Sequence, residues 1–555
     1  MLTRLLLALA LFVTPLAASA QGVVSAADPR AAEAGREILR AGGSAADAAM
    51  AMMLALTVVE PQSSGIGGGG FMVHHDSAQG IIQTIDGREK APASATPARF
   101  LGPDGKPMPF RSAFPGGLSV GVPGNIALMA ETHRRWGKLP WARLFDPAIR
   151  LAEGGFTVSG STANFLKMLQ PLWVQFPEAQ AIYWRNGKPL AQGETVRNPA
   201  MAETLRAMAA EGPGAFYKGK IAGQISAAVA NAPLNPATLA LTDLAAYEAR
   251  QRPAVCTTYR VYKVCGMGPP SSGATTVLQM LELIERFDLR AMGPRDPRSW
   301  HVIAEAMKLA YADRDKYLAD PDFVAVPVAG LIDPAYLKAR SAGISLRGAL
   351  GTYEAGTPPG AERRTPAMSG EVPSTTHFVA VDRRGNVASM TSTIEGIFGS
   401  QLIAGGFFLN NELTDFSFAP EQDGAPVANR VQAGKRPRSS MSPTVVYDQT
   451  GKPVLALGSA GGPRIIMHVA KTLIGYMDFG LPAQEAIALP NIFFNDEGTV
   501  VEKGTFLGDM APALARINGR VTAVDLGSKV NAAERVGDVW RGAADPRSEG
   551  VALAE

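Results

Sequence analysis

Only two of the 555 residues are cysteine, and aromatic residues make up just 7% of the chain. The two, Cys256 and Cys265 in PAVCTTYRVYKVCGM, have no histidine beside them, which argues against a zinc site built on thiolates. That stretch reads as two short strands around a turn. Two outcomes stay open for it: a bridge in an oxidising compartment, or a pair of buried thiols. After residue 20 no apolar run approaches the roughly 20 residues that a membrane-spanning helix needs. Charge of one sign is also missing, with 53 basic against 50 acidic residues. Without a basic field, nucleic acid is not expected as a partner, and neither is a membrane. Internal repeats and low-complexity tracts are absent as well.

The N-terminus, MLTRLLLALALFVTPLAASA, has one charge at Arg4, an apolar run from Leu5 to Leu16, and the small residues Ala18-Ser19-Ala20. This pattern predicts a secretory signal peptide over 1–20, too short to anchor the chain, with a cut after Ala20. No cysteine follows the cut to carry a lipid. The expected location is therefore periplasmic or secreted.

Ser44 begins an S-x-x-D start signal and SAADAAMAMMLALTVV continues it with strong helix formers up to Pro61, which predicts a buried helix over Ser44–Val59. In the following SSGIGGGGFMVHHD, Gly65, Gly67 and Gly70 satisfy G-x-G-x-x-G. A dinucleotide loop, however, needs a strand before it and a helix after it. Here the order is reversed, so a tight, closely packed turn is expected. From Leu139 to Asp320 the pattern is mostly helical, clearest over Trp300–Asp322. Residues 347–373 are rich in Gly, Pro, Ala and charge without periodicity, which predicts an exposed linker.

At Ser374 the character changes. STTHFVAVDRRGNVASMTSTIEG predicts a strand over Thr376–Val381, a turn at Arg383–Asn386 and a returning strand over Val387–Thr393. A linker running into a strand that opens with two hydroxyl residues suits an N-terminal nucleophile. Cleavage of the Ser374–Thr375 bond frees the Thr375 α-amine, whose pKa near about 8 lets it take the proton of its own hydroxyl. Farther on, LALGSAGGPRII sets Gly461 and Gly462 between a strand and a helix with Pro463 expected at its first position. A helix N-terminus offers free amides to an anion, and the two glycines leave room for a tetrahedral oxyanion.

TTHFVAVDRRGNVASMTSTIEGIFGS, GGFFLNNELTDFS, KRPRSSMSPT and GSAGGPRI occur in order, preceded by AGGSAADAAMA, SSGIGGGGFM, DGREKAP, SVGVPG, GPPSSGATTVLQ and AEAMKLAYADRDKYLADPDF and followed by ADPRSEG. In these motifs, which span nearly all of the mature chain, the sequence resembles the γ-glutamyltransferases (glutathione hydrolases). The resemblance implies a four-layer αββα N-terminal nucleophile hydrolase, of mixed helices and antiparallel strands. One precursor would be cut into a large subunit, 21–374, and a small subunit, 375–555, held as a heterodimer. It implies Thr375 as nucleophile, Thr393 holding its hydroxyl, and Gly461 and Gly462 as the oxyanion hole. Arg88, Ser439 and Ser440 would bind the substrate α-carboxylate, with Glu412 and Asp415 binding its α-ammonium. Donors would be glutathione or other γ-glutamyl small molecules, and acceptors water, amino acids or peptides. No metal or organic cofactor is implied.

Charge matching supports that assignment, because a zwitterion entering a partly dry pocket must have each charge met. Two departures stand out. Glu395 replaces the Asn of many members and adds an acid near the ammonium. The segment Ser417–Lys435 is short and lacks a pocket-roofing tyrosine, which suggests a more open site favouring hydrolysis. Two rival readings are a glutaryl or cephalosporin acylase of the same fold and a periplasmic binding protein without turnover.

Overall fold

The computed structural model describes residues 21–366 and 374–555. The signal peptide expected over 1–20 and the end of the linker, 367–373, lie outside the described residues. Two antiparallel sheets dominate the fold. The first has seven strands in the order Val551–Ala554, Val23–Ala26, Thr376–Val381, Val387–Thr393, Gly69–Asp76, Ile81–Gly87 and Arg250–Arg252. The second has six, in the order Val539–Ala544, Asn531–Val536, Pro453–Gly458, Thr444–Tyr447, Tyr262–Met267 and Ala254–Tyr259.

Side-chain alternation explains how the sheets stack. Along Thr376–Val381 and its partner, Phe378, Ala380, Ala388 and Met390 pack among the helices Pro29–Arg40 and Ala45–Val59. The opposite face turns Val379, Val381 and Val387 into a core shared with Val445, Leu455 and Leu457 of the second sheet. Beyond that sheet lie the helices Gly273–Ile284, Pro297–Tyr317 and Arg464–Met477. The order is helices, sheet, sheet, helices, as expected. Because the first sheet is covered on both faces, its central strands are buried throughout.

The helix read from Ser44 runs from Ala45 to Val59 and every residue of it is buried. Ser44 caps it, accepting from Asp47 N–H at 3.1 Å while the Asp47 carboxylate accepts from Ser44 N–H at 3.0 Å. The helix expected over Trp300–Asp322 instead spans Pro297–Tyr317, begun by an Asp296 cap and ended when Leu318 turns extended. Over its described part, 347–366, the linker has no helix or strand and is mostly exposed or half-buried, as expected, yet it is tied down. Leu350 N–H and Tyr353 O–H each donate to Glu305 at 2.7 Å, and Gly356 N–H donates to Asp313 at 2.8 Å. Pro358 is buried. Carboxylates on the helix Pro297–Tyr317 thus satisfy the backbone of residues 350–356 and hold them as a strap.

Cys256 and Cys265 face each other across the last two strands of the second sheet, with Cα atoms 4.1 Å apart and sulfurs bonded. Among the described residues no helix is long and apolar enough to cross a membrane.

Candidate active site

The hairpin after Ser374 brings two threonines together. Its turn is fixed by the Asp382 carboxylate, which accepts from Arg384 N–H and Asn386 N–H, and by Gly385 at φ +83°. From Val381 opposite Val387, the antiparallel register runs back to Thr376 opposite Ser392. One step further, Thr375 Oγ1 lies 3.2 Å from Thr393 Oγ1. The Thr393 oxygen already accepts from Glu395 N–H at 2.8 Å. That bond leaves the Thr393 proton free to be donated to Thr375, whose own proton can then go to a base.

Thr375 is buried and held at φ +137°, a region L-residues other than glycine seldom occupy. Strain of this kind costs about 1–3 kcal/mol and persists only where the surroundings impose it. Here Ser374 Oγ donates to Gln62 O at 2.7 Å, Thr376 Oγ1 donates to Glu60 at 2.7 Å, and Lys529 Nζ joins Glu60 to the Thr375 carbonyl oxygen at 3.4 Å. The glycine run forms the tight turn expected of it, followed by a strand. A Cβ on Gly68 would collide with the Thr393 carbonyl oxygen, and one on Gly67 with that of Phe408.

Thr375 and Thr393 border a cleft of about 20 Å³, lined also by Arg88, Glu395, Glu412, Asp415, Ser439, Ser440 and Gly462. That volume suits about one water molecule. Gly461 borders the turn but not the cleft. Both glycines have positive φ, +132° and +57°, and neither N–H donates to another described residue. Pro463 stands just before the helix Arg464–Met477, at the cap position rather than the first helical one, although its own φ and ψ are helical.

Arg88 is buried and donates to both Glu412 and Asp415, as well as to the carbonyls of Pro437 at 3.1 Å and Arg438 at 2.9 Å. The two acids occupy one turn of 3-10 helix, Glu412–Asp415, which aims both carboxylates at one guanidinium. Burial opposes the Arg88 charge, but Glu412, Asp415 and Glu89 outweigh it and hold its pKa above the ordinary guanidinium value. Burial pushes Glu412 well above the usual carboxylate range against the pull of Arg88, with Glu89 and Glu395 adding to the rise. Glu395, at φ +72°, accepts from Asn411. Ser440 Oγ accepts from Arg314 at 2.6 Å and Ser439 Oγ from Met441 N–H at 3.2 Å.

Sequence reasoning missed three contributors. Glu89, 3.9 Å from Arg88, is fully buried, and burial raises its pKa to about 7 against the opposing Arg88 charge. Its signal was present beside Arg88 in DGREKAP. Asn411 and Arg314 act through Glu395 and Ser440, and nothing local in the sequence marked them. The short segment Ser417–Lys435 lends no residue to the cleft; its Phe418 stacks on Phe100 instead, ring centroids 4.4 Å apart. Cys256 and Cys265 are not brought to the cleft.

This geometry, a strand-edge threonine facing a buried arginine and a group of acids, sits in a chain whose likenesses run nearly end to end. The glutathione hydrolase proenzyme of Bacillus subtilis (strain 168) is 36% identical over 96% of this chain and 91% of that protein. The Acylase ACY 1 proenzyme of Pseudomonas sp. (strain SE83) is also 36% identical, over 88% of this chain and 84% of its own. Among solved structures, the cephalosporin acylase from Bacillus halodurans superposes with a TM-score of 0.84 at 28% identity, covering 96% of both chains. Since the family described as Gamma-glutamyltranspeptidase matches residues 31–555, the chain belongs to that family of enzymes.

Proposed function

We propose that the chain is a self-processing γ-glutamyl hydrolase and transferase acting on glutathione and related γ-glutamyl amides. The observation that carries this reading is the threonine pair, 3.2 Å apart, opening onto Arg88 and its acids. In the precursor the Thr375 hydroxyl attacks the Ser374 carbonyl carbon, and water hydrolyses the resulting ester. Chains 21–374 and 375–555 then stay together, since each sheet draws strands from both. The freed α-amine becomes the base for the same hydroxyl.

In turnover, Thr375 Oγ attacks the γ-glutamyl carbonyl, and the amides of Gly461 and Gly462 receive the oxyanion. The leaving amine takes a proton, and the ester passes to water or to an amine acceptor. Substrate charges exchange with internal ones. The α-carboxylate joins Arg88, Ser439 and Ser440, while the ammonium takes over Glu412 and Asp415. Binding therefore swaps partners inside a dry site instead of burying bare charge. The expected site of action is the periplasm or the medium.

The likeness to acylases supports a second reading, in which the acyl group has no α-ammonium. The acids around Arg88 disfavour it, because a donor bringing only a carboxylate supplies no ammonium to replace the guanidinium at Glu412 and Asp415. Intact mass followed by turnover of a γ-glutamyl anilide, with and without a dipeptide, tests the first reading. Two fragments meeting between Ser374 and Thr375, with acceptor-stimulated anilide release, are expected. A single uncut chain, or preference for a glutaryl anilide, would overturn it.

A further inference from the structure

The strand Pro453–Gly458 leaves the second sheet through Ser459, Ala460, Gly461 and Gly462, and Pro463 leads into the helix Arg464–Met477. A trans peptide is planar, with its N–H antiparallel to its C=O, so an amide is aimed by whatever holds the carbonyl of the residue before it. For Gly462 that carbonyl is Gly461 O, which accepts from Arg464 N–H at 3.3 Å. For Gly461 it is Ala460 O, to which no backbone amide donates among the described residues. Ser459 Oγ donates to it instead, at 3.2 Å. Behind the serine stands His468, on the second turn of the helix. Its Nδ1 lies 3.0 Å from Ser459 Oγ, and its Cε1 would lie 3.2 Å from a Cβ placed on Gly461. The imidazole is buried, and burial, with the Lys471 charge adding to it, pushes its pKa down to about 3. The ring is therefore neutral at working pH and carries one N–H. Because the Ser459 proton goes to Ala460 O, the ring proton is assigned to Nδ1, which donates to Ser459 Oγ.

We propose that His468 is a positioning residue that, through Ser459, fixes the Ala460–Gly461 peptide and with it the direction of the Gly461 N–H. The inference rests on the acyl-transfer reading above, in which the amides of Gly461 and Gly462 receive the oxyanion. Such an anchor is needed at this peptide. Gly461 sits at φ +132° and glycine accepts either sign of φ, so the peptide before it can turn over at little steric cost. Turned over, it would present the partial negative charge of the Ala460 carbonyl to the developing oxyanion in place of a donor. The backbone does not prevent this, since the Ala460 N–H that donates to Lys529 O at 3.3 Å belongs to the preceding peptide. What holds the carbonyl is the chain from His468 Nδ1–H to Ser459 Oγ to Ala460 O. His468 itself does not line the cleft, so it acts only through that chain.

Three single variants separate a hydrogen-bond anchor from a side chain that only fills space. His468→Leu fills the space without a donor. His468→Asn leaves a gap but sets a side-chain N–H where Nδ1–H stood. Ser459→Ala removes the relay and keeps the ring. With rates on a γ-glutamyl anilide counted per cleaved chain, removing an oxyanion donor outright costs about 10²–10³ in kcat, so loss of its anchor alone should cost roughly thirtyfold in kcat/KM for His468→Leu and for Ser459→Ala. The double variant His468→Leu with Ser459→Ala should lose no more than either single one, because both break the same chain. His468→Asn should recover most of the activity.

A second readout reports on the oxyanion directly. In the boronic acid analogue of glutamate, boron stands in place of the γ-carboxyl carbon. Thr375 Oγ adds to it, the B–O bond forms, the Oγ proton passes to the α-amine, and a boron-bound hydroxyl enters the oxyanion site. In His468→Leu and Ser459→Ala its affinity should fall in parallel with kcat/KM, while that of L-norvaline, which carries a methyl group there, should hold. Wild-type kinetics in either of these variants, an Asn variant as slow as the Leu variant, or equal losses of affinity for the boronic acid and norvaline would overturn the proposal. If His468→Leu stays uncut, Ser459→Ala carries the same comparison and decides it. Failure of the underlying reading is visible separately in the wild type, as no anilide release and no inhibition by the boronic acid, and it overturns the proposal too.

Discussion

Arg88→Met removes the guanidinium that donates to both Glu412 and Asp415 while keeping most of the apolar stem. Glu89, Glu412 and Asp415 then sit in a nearly water-free site that has lost the guanidinium between them. Breaking a buried pair from one side costs about 3–5 kcal/mol. The loss should depend on pH, with a sign fixed by the shifts. Glu89 and Glu412 have folded pKa values raised above the ordinary 4.5 even beside Arg88, Glu89 to about 7. Without the cation both rise further. A carboxyl with a raised folded pKa contributes stability that is fully present below its unfolded value and lost as pH rises through its folded value. Urea denaturation should therefore find the variant close to wild type near pH 5 and about 3–5 kcal/mol weaker near pH 8. A deficit below about 1 kcal/mol at pH 8, or an equal deficit at both pH values, would refute the claim that Arg88 is what keeps these acids tolerable.

Glu89→Gln removes a group whose folded pKa is raised from 4.5 to about 7. Relative to wild type, the variant should gain stability as pH rises across that window, by up to about 3 kcal/mol in a pH series of denaturation midpoints. Gly68→Ala sets a methyl group against the Thr393 backbone carbonyl, so cleavage of the precursor should slow markedly on a timed gel; normal processing would show that Thr393 can shift without harm. Asp415→Asn should lose roughly thirtyfold in kcat/KM on a γ-glutamyl anilide, from about 2 kcal/mol of lost charge matching, but little on a glutaryl anilide. Equal losses on both would make that carboxylate structural. Thiol alkylation of unreduced protein should label neither Cys256 nor Cys265, and two labels would mean that the pair is not bonded.

The legible parts of the fold were those in which local chemistry and tertiary role coincide. The Ser44 capping box, the hairpin from Thr376 to Thr393 and the glycine turn each carry their signal within about 20 residues. Two features were not legible because the partners that fix them lie far off in sequence. Residues 350–356 look like free linker until Glu305 and Asp313 accept their hydrogen bonds. Glu89 stands beside Arg88 in sequence, but what buries it with the Glu412–Asp415 turn, more than 300 residues on, is packing. The candidate charge-binding residues Arg88, Glu412, Asp415, Ser439 and Ser440 came from resemblance, and the fold does gather them around one cleft. Their hydrogen-bond partners, chosen by packing, could not be read the same way.

Glu395 joins the Thr375–Thr393 pair to the acids around Arg88 through two different parts of one residue. Its N–H donates to Thr393 Oγ1 at 2.8 Å, beside the 3.2 Å contact with Thr375 Oγ1, and its backbone sits at φ +72°. A left-handed conformation is costly for a long side chain and easier for Asn, the residue that many members have there. Glu keeps the main-chain bond at a higher conformational cost and adds a carboxylate, fixed by Asn411, that raises the pKa of Glu412. The strain is tolerable because the position is buried and held from both sides. Its consequence is electrostatic: Arg88 is the only cation among the described residues lining the cleft, so under the proposed reading each additional acid favours a donor that brings an ammonium and opposes one that brings a carboxylate alone.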